Sequence, residues 1–64
     1  SEQVTVPDLK GLTMKEAGSI LEKLGLHLNP TGSGIAVGQK EVPGTIVPRG
    51  TTITVDFQPQ GLPD

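Results

Sequence analysis

The chain has 64 residues and no cysteine, which limits it to one small domain without a disulfide framework or a thiolate metal site. Its formal net charge is −2 and its five basic residues are scattered, which argues against a nucleic-acid partner; no apolar run approaches the length of a membrane span. Phe57 is the only aromatic residue, so aliphatic side chains must form most of the core.

A short strand is predicted near the start of the chain. Val4-Thr5-Val6 combines apolar and β-branched residues in alternation. The pattern stops at Pro7-Asp8, because proline cannot donate to a strand ladder and this pair favours a turn. A loop should therefore follow the first strand.

A helix over residues 13–24 is predicted by signals at both of its ends. Thr13 suits the N-cap, and Glu16 three residues later completes a capping box. Gly25 follows as the C′ glycine of a Schellman ending. Gly18 lies inside the helix and costs about 1 kcal/mol relative to alanine, which predicts a close approach to another backbone. An apolar stripe at helical spacing should face the core: Met14, Ala17, Ile20, Leu21 and Leu24.

Three further strands are predicted after the helix. Residues 26–29 alternate and end at Pro30, and residues 35–39 alternate again, so the glycine-rich segment 31–34 between them predicts a hairpin. Residues 51–57 form the clearest strand, with Ile53, Val55 and Phe57 on one face. Turns are expected at Pro43-Gly44 and at Pro48-Arg49-Gly50.

These elements predict an α+β fold, with one α-helix packed on a small, mainly three-stranded β-sheet. The order is of the β-α-β-β type, with a short N-terminal strand before the helix. Residues 1–57 should form the domain, and residues 58–64, which contain proline and glycine without periodicity, a C-terminal tail or linker.

No catalytic, metal or cofactor site is expected from the residue pattern. His27 lies in the middle of a predicted strand, on the face opposite Leu26 and Leu28, where a solvent-facing role is favoured. The acidic residues are dispersed, and Glu16 is already assigned to helix capping. Gly32-Ser33-Gly34 leads into a strand rather than a helix, which is unlike a phosphate-binding loop. We therefore expect a non-catalytic module.

The order of turns and caps resembles that of a PASTA domain over residues 4–57. The positions expected to be structural in this pattern are Pro7, Gly11, Thr13, Glu16, Gly25, Pro43, Gly44 and Gly50. Further matching positions are Val6, Asp8, Leu12, Ala17, Leu24, Leu26, Gln39, Thr45, Val47, Ile53 and Val55. No single piece is diagnostic, but the ordered set is specific.

The resemblance implies a place outside the cytoplasmic membrane of a bacterium, in a penicillin-binding protein or a membrane Ser/Thr kinase. Such modules are thought to hold uncrosslinked peptidoglycan and, in some cases, β-lactams. The segment from Leu26 to Gln39 is shorter than in kinase-linked repeats, and Glu41 stands where proline is common. Both departures favour a single C-terminal module of a transpeptidase, with a sporulation-related one as the candidate, tethered to the membrane through that parent protein.

Two functions are open for such a module. The first is weak binding of peptidoglycan or muropeptide fragments, with Thr31, Ser33 and Arg49 as contact candidates and no aromatic platform for sugars. The second is a structural spacer or protein-docking module, which packs against the catalytic domain of the parent protein or offers a sheet edge to a partner. Proline at Thr52 or Thr54 should then abolish recruitment of the partner.

Overall fold

The protein is described by a computed structural model, which covers residues 2–59. One helix packs on a small sheet, so the predicted α+β class is confirmed. The elements in chain order are β1 (Gln3–Thr5), α1 (Met14–Lys23), β2 (His27–Gly32), β3 (Ile35–Gln39), β4 (Ile46–Pro48) and β5 (Thr52–Gln58).

Helix α1 has the two predicted ends. Thr13 is the N-cap: its hydroxyl accepts from the backbone N–H of Glu16 (3.2 Å), and its own N–H donates to the Glu16 carboxylate (3.0 Å). At the other end Leu26 N–H donates to the Leu21 carbonyl (2.8 Å), and Gly25 has a φ of +78°, as in a Schellman motif. Local interactions therefore define both helix ends.

The prediction for Gly18 is wrong. A Cβ placed on Gly18 would meet only a methyl group of the Leu28 side chain, at 3.6 Å, and no backbone atom within 4 Å. That distance is an ordinary van der Waals contact, so the helix tolerates a methyl group at this position.

The predicted hairpin between the second and third strands is also wrong. The order of the three-stranded sheet is β2-β5-β3, with β5 parallel to β2 and antiparallel to β3. The loop from β2 to β3 instead passes around the end of β5. It passes so closely that a Cβ on Gly32 would collide with the Phe57 carbonyl oxygen, and one on Gly34 with that of Gln58. The loop from β2 to β3 is as short as a hairpin loop, yet it reaches across β5 to the strand on the other side. Glycine makes this possible, because it has no side chain to collide with the backbone of β5.

Strand β2 does not end before Pro30, as predicted, but continues to Gly32. The His27 N–H donates to the Thr51 carbonyl (3.0 Å), so the backbone groups of residues 27, 29 and 31 face β5. The nitrogen of Pro30 then points away from β5, at the edge of the sheet, where a missing N–H costs no ladder hydrogen bond.

Strands β1 and β4 form a separate two-stranded antiparallel ribbon. Strand β1 was predicted one residue too far along the chain. Strand β4 was not predicted, since only three residues separate its two flanking turns. Those turns are present: Thr45 N–H donates to the Val42 carbonyl and Thr51 N–H to the Pro48 carbonyl, both at 3.2 Å.

The core lies between the helix, the inner face of the sheet and the ribbon. As predicted, the apolar face of β5 is buried and the helix stripe faces the core. Within the stripe Ala17 and Leu21 are fully buried, and the other three residues are half-buried. The buried set is Val6, Leu9, Ala17, Leu21, Leu26, Ala36, Val47, Ile53, Val55 and Phe57. Gln58, assigned to the predicted tail, is the last residue of β5, and residues 60–64 of that tail lie outside the described residues.

The side chain of Gln39 bonds to three backbone groups, two in the loop after β1 and one just beyond β3. Its Oε1 accepts from the Leu9 N–H (3.0 Å), and its Nε2 donates to the carbonyls of Pro7 (3.0 Å) and Glu41 (2.7 Å). Glu41 in turn accepts the Thr54 N–H through its carboxylate (3.1 Å). The Gln39 bonds hold the loop after β1 against the end of β3. The Glu41 bond continues the hydrogen bonding to β5 beyond the last residue of β3.

Candidate functional site

The outer face of the three-stranded sheet carries polar side chains from two adjacent strands. Residues alternate between the two faces of a strand, and Leu28 points towards α1, where its methyl group lies near Gly18. The neighbours of Leu28 in β2 therefore point the other way. We call this surface the polar face and define it by three adjacent pairs: His27 with Thr52, Asn29 with Thr54, and Thr31 with Asp56.

Hydrogen bonds between the strands orient part of the polar face. The Asn29 amide donates to the Thr54 hydroxyl (3.3 Å), and the Thr31 hydroxyl lies within hydrogen-bond distance of the Asp56 carboxylate (3.2 Å) and the Val55 carbonyl (3.3 Å). Five of the six side chains are exposed and Thr54 is half-buried. The face thus presents hydroxyl, amide, imidazole and carboxylate groups to solvent, with donor and acceptor capacity left over.

The predicted contact residues do not lie together. Thr31 belongs to the polar face, and Ser33 follows it in the loop after β2, where it is exposed. Arg49 lies beyond the opposite end of β2: its neighbour Gly50 donates to the Gly25 carbonyl (2.8 Å). At a rise of about 3.3 Å per residue, the four steps along β2 from His27 to Thr31 alone place these ends about 13 Å apart.

Arg49 connects the ribbon to the end of the helix. Its guanidinium forms an ion pair with Glu2 (2.6 Å), and both side chains are largely exposed. Its backbone N–H donates to the Glu2 carbonyl (3.0 Å), and its side chain occupies the space that a Cβ on Gly25 would need. Arg49 is therefore engaged within the domain at both its backbone and its side chain.

An open groove lies beside this ion pair, between β1 and the C-terminal end of α1. Its volume is about 510 Å³. We call it the β1 groove, and the residues that line it are Glu2, Gln3, Val4, Thr5, Lys23, Leu24 and Arg49. Both charged and apolar groups thus face the same opening.

Sequence reasoning did not single out most of the polar face. The alternation of polar residues along β2 and β5 was visible, and His27 is solvent-facing as predicted. The parallel register that pairs Asn29 with Thr54 was not visible, because it joins residues 25 positions apart.

The polar face and the β1 groove are the surfaces that we consider for binding. Among residues 2–59, no group of three or more His, Asp or Glu side chains is placed to hold a metal ion. Within the same range, no helix is long and apolar enough to cross a membrane.

Comparison with known proteins gives one family. A family model described as the PASTA domain matches residues 4–59, a range that contains α1 and strands β2 to β5 in full. No curated protein matches the chain.

Proposed function

Because the chain belongs to the PASTA domain family, we propose that it is an accessory module of a cell-wall synthesis protein that binds peptidoglycan fragments weakly on its polar face. PASTA domains are in general non-catalytic, extracytoplasmic binding modules of membrane-anchored cell-wall proteins. The family supplies the class of function, and the surface suggests where the contact is made.

The observation that carries the proposal is the polar face itself. Peptidoglycan fragments present hydroxyl, amide and carboxylate groups, and the paired side chains of β2 and β5 offer complementary donors and acceptors. Asn29, Thr31 and Thr54 are the central contacts, and Ser33 extends the surface beyond Thr31.

The binding should be weak. Phe57 is the only aromatic residue of the chain and is 2% exposed, so no ring is available to stack on a sugar. The surface is also open rather than enclosed, which leaves much of any ligand in water. We expect a dissociation constant of about 1 mM, equivalent to about 4 kcal/mol of binding free energy. β-Lactams, which carry amide and carboxylate groups, should bind the same face with similar weakness.

We place the module on the outer side of a bacterial cytoplasmic membrane, attached to the catalytic domain of a penicillin-binding protein as its single C-terminal module. A sporulation-related transpeptidase is the proposed parent. Glu41 has a structural contact that proline, common at this position in the kinase repeats, could not make, because its carboxylate accepts the Thr54 N–H. A Ser-x-x-Lys motif upstream in the gene would support this parent, and kinase motifs would contradict it.

Titration by NMR tests the binding proposal. The ¹⁵N-labelled domain is titrated with disaccharide-peptide muropeptides, and in a separate series with a β-lactam, up to 10 times the expected dissociation constant of about 1 mM. Amide shifts should concentrate on β2 and β5. Thr31→Val and Thr54→Val should each weaken binding about 3- to 10-fold, in line with one lost hydrogen bond.

Ser19→Ala is the matched control, because it also removes one exposed hydroxyl but lies on α1, away from the polar face. It should leave the affinity unchanged. An absence of shift changes at millimolar muropeptide, or shifts centred on α1, would refute binding on the polar face.

The three-stranded sheet gives little support to the alternative of edge docking. Pro30 interrupts the outer edge of β2. The outer edge of β3 is occupied, since Gly11 N–H donates to the Ala36 carbonyl and Ala36 N–H to the Leu12 carbonyl, both at 2.9 Å. Proline at Thr52 or Thr54 would not isolate docking from folding, because both residues lie in β5, the central strand of the sheet.

A further inference from the structure

Among residues 2–59, the side of β1 that faces away from β4 has no backbone hydrogen-bond partner, and it borders the β1 groove. The Arg49 N–H donates to the Glu2 carbonyl, and the Val6 N–H donates to the Thr45 carbonyl. The backbone N–H and C=O groups of residues 2, 4 and 6 therefore point towards β4. In an antiparallel ladder the residues between them face the other side. The N–H and C=O groups of Gln3 and Thr5 therefore point away from β4, and both residues line the groove.

The groove is cationic on a chain that is acidic. Lys23 and Arg49 contribute two positive charges and Glu2 one negative charge, whereas the whole chain carries −2. The Glu2 carboxylate is already paired with Arg49. Lys23 forms no ion pair with any residue among 2–59, so its ammonium group is available to an external carboxylate.

Apolar groups accompany these charges. Val4 and Leu24 are half-buried, pack against the core and line the groove. A strand laid along β1 would direct alternate side chains towards this apolar surface and the others towards solvent and the basic groups.

We propose that the β1 groove docks an extended acidic segment of another protein, which adds to the ribbon as a third strand beside β1. Up to four main-chain hydrogen bonds with Gln3 and Thr5 would hold the segment, and Lys23, assisted by Arg49, would select its carboxylates. A polypeptide is the fitting occupant because it carries N–H and C=O groups at strand spacing, which a glycan does not. The site is separate from the polar face and does not depend on the wall-binding proposal.

The test uses a peptide of simple design. A capped Val-Glu-Val-Glu-Val peptide is titrated into the ¹⁵N-labelled domain at low salt, beside a peptide with lysine in place of both glutamates. The glutamate peptide should shift the amides of Gln3 and Thr5 and bind at least 5-fold more tightly than the lysine peptide. A backbone N-methylated glutamate peptide should lose most of this affinity, because it cannot donate to the strand.

Two protein variants distinguish the contribution of the Lys23 charge to peptide binding from that of the Gln3 backbone N–H. Lys23→Gln should weaken binding of the glutamate peptide at least 3-fold, whereas Lys15→Gln, the same change near the other end of α1, should not. Gln3→Pro removes an N–H that the ribbon does not use, and should weaken binding while the rest of the amide spectrum stays dispersed.

Three results would overturn the inference. One is equal affinity for the glutamate and lysine peptides. Another is an absence of shifts at Gln3 and Thr5 at 10 mM peptide, a concentration about ten times a dissociation constant of about 1 mM. A third is a muropeptide that shifts these amides as strongly as the peptide does. Thr31→Val should leave peptide binding unchanged, so failure of this inference is distinguishable from failure of the wall-binding proposal.

Discussion

Gln39→Ala should destabilise the domain more than any other single change to a polar side chain. The side chain makes three hydrogen bonds, to Leu9, Pro7 and Glu41, at 2.7–3.0 Å. Each is worth about 1 kcal/mol net, and partial exposure lets water replace some of the loss. We therefore expect a loss of about 2–3 kcal/mol in the free energy of unfolding.

This loss is large for so small a domain. At roughly 0.05–0.15 kcal/mol per residue, a chain of this length has about 3–10 kcal/mol of stability in total. A domain of this size loses about 4–8 °C in melting temperature per kcal/mol, so the melting temperature should fall by roughly 10–20 °C.

Circular dichroism is the suitable probe, because the chain contains no Trp or Tyr for fluorescence. Urea denaturation with a slope of about 1 kcal/mol/M should show the midpoint shifted down by about 2 M or more, or the variant already unfolded in buffer. Gln39→Glu, which keeps the shape and the acceptor but loses both amide donors, should also destabilise.

Gln58→Ala is the control, since it shortens an exposed glutamine at the end of β5. It should change stability by less than about 0.5 kcal/mol. If Gln39→Ala costs less than about 1 kcal/mol beyond this control, the three hydrogen bonds do not hold the loop after β1, and the reasoning fails.

Three further predictions concern glycine conformation and helix capping. Gly18→Ala should raise stability by up to about 1 kcal/mol, because alanine favours the helix and the added methyl group fits; a lower melting temperature would contradict this. Gly32→Ala should cost roughly 2 kcal/mol or more through collision with the Phe57 carbonyl, whereas Gly44→Ala, with open space, should cost only about 1 kcal/mol for its positive φ; equal losses in urea denaturation would exclude the collision. Thr13→Ala should lower helix stability by about 1 kcal/mol through loss of the capping box. Ser19→Ala, which removes a hydroxyl inside the helix, is the comparison in thermal melts and should not lower stability.

Local interactions explain what could be predicted from the sequence. The helix caps join Thr13 to Glu16 three residues away and Leu21 to Leu26 five residues away, so the residues that decide the helix ends are neighbours in the chain. The alternation of β5 likewise identifies its buried face without knowledge of its partners. The family resemblance rests on these same local signals, and the match over residues 4–59 confirms it.

Part of the candidate site was also visible. Thr31 and the polar alternation of β2 and β5 are sequence features, and the structure places them on one surface. Arg49 was grouped with Thr31 only because both are polar residues near turns, and the structure separates them. The β1 groove required knowledge of which side of β1 remains unpaired.

Only the tertiary structure decided which strands are neighbours. A short glycine-containing connection between two strands indicates a hairpin, yet β5, some 25 residues from its partner positions in β2, lies between β2 and β3. Strand pairing depends on competition among distant segments for burial, and the apolar face of β5 gains most from the central position. Asn29 and Thr54 are likewise 25 residues apart in the chain, and Gln39 is 30–32 residues from the loop that it holds, so neither contact could be predicted from spacing. The sequence by itself determined the helix with its caps, the approximate places of the other strands apart from β4, and the inner face of β5. The pairing of distant strands created the polar face and the β1 groove.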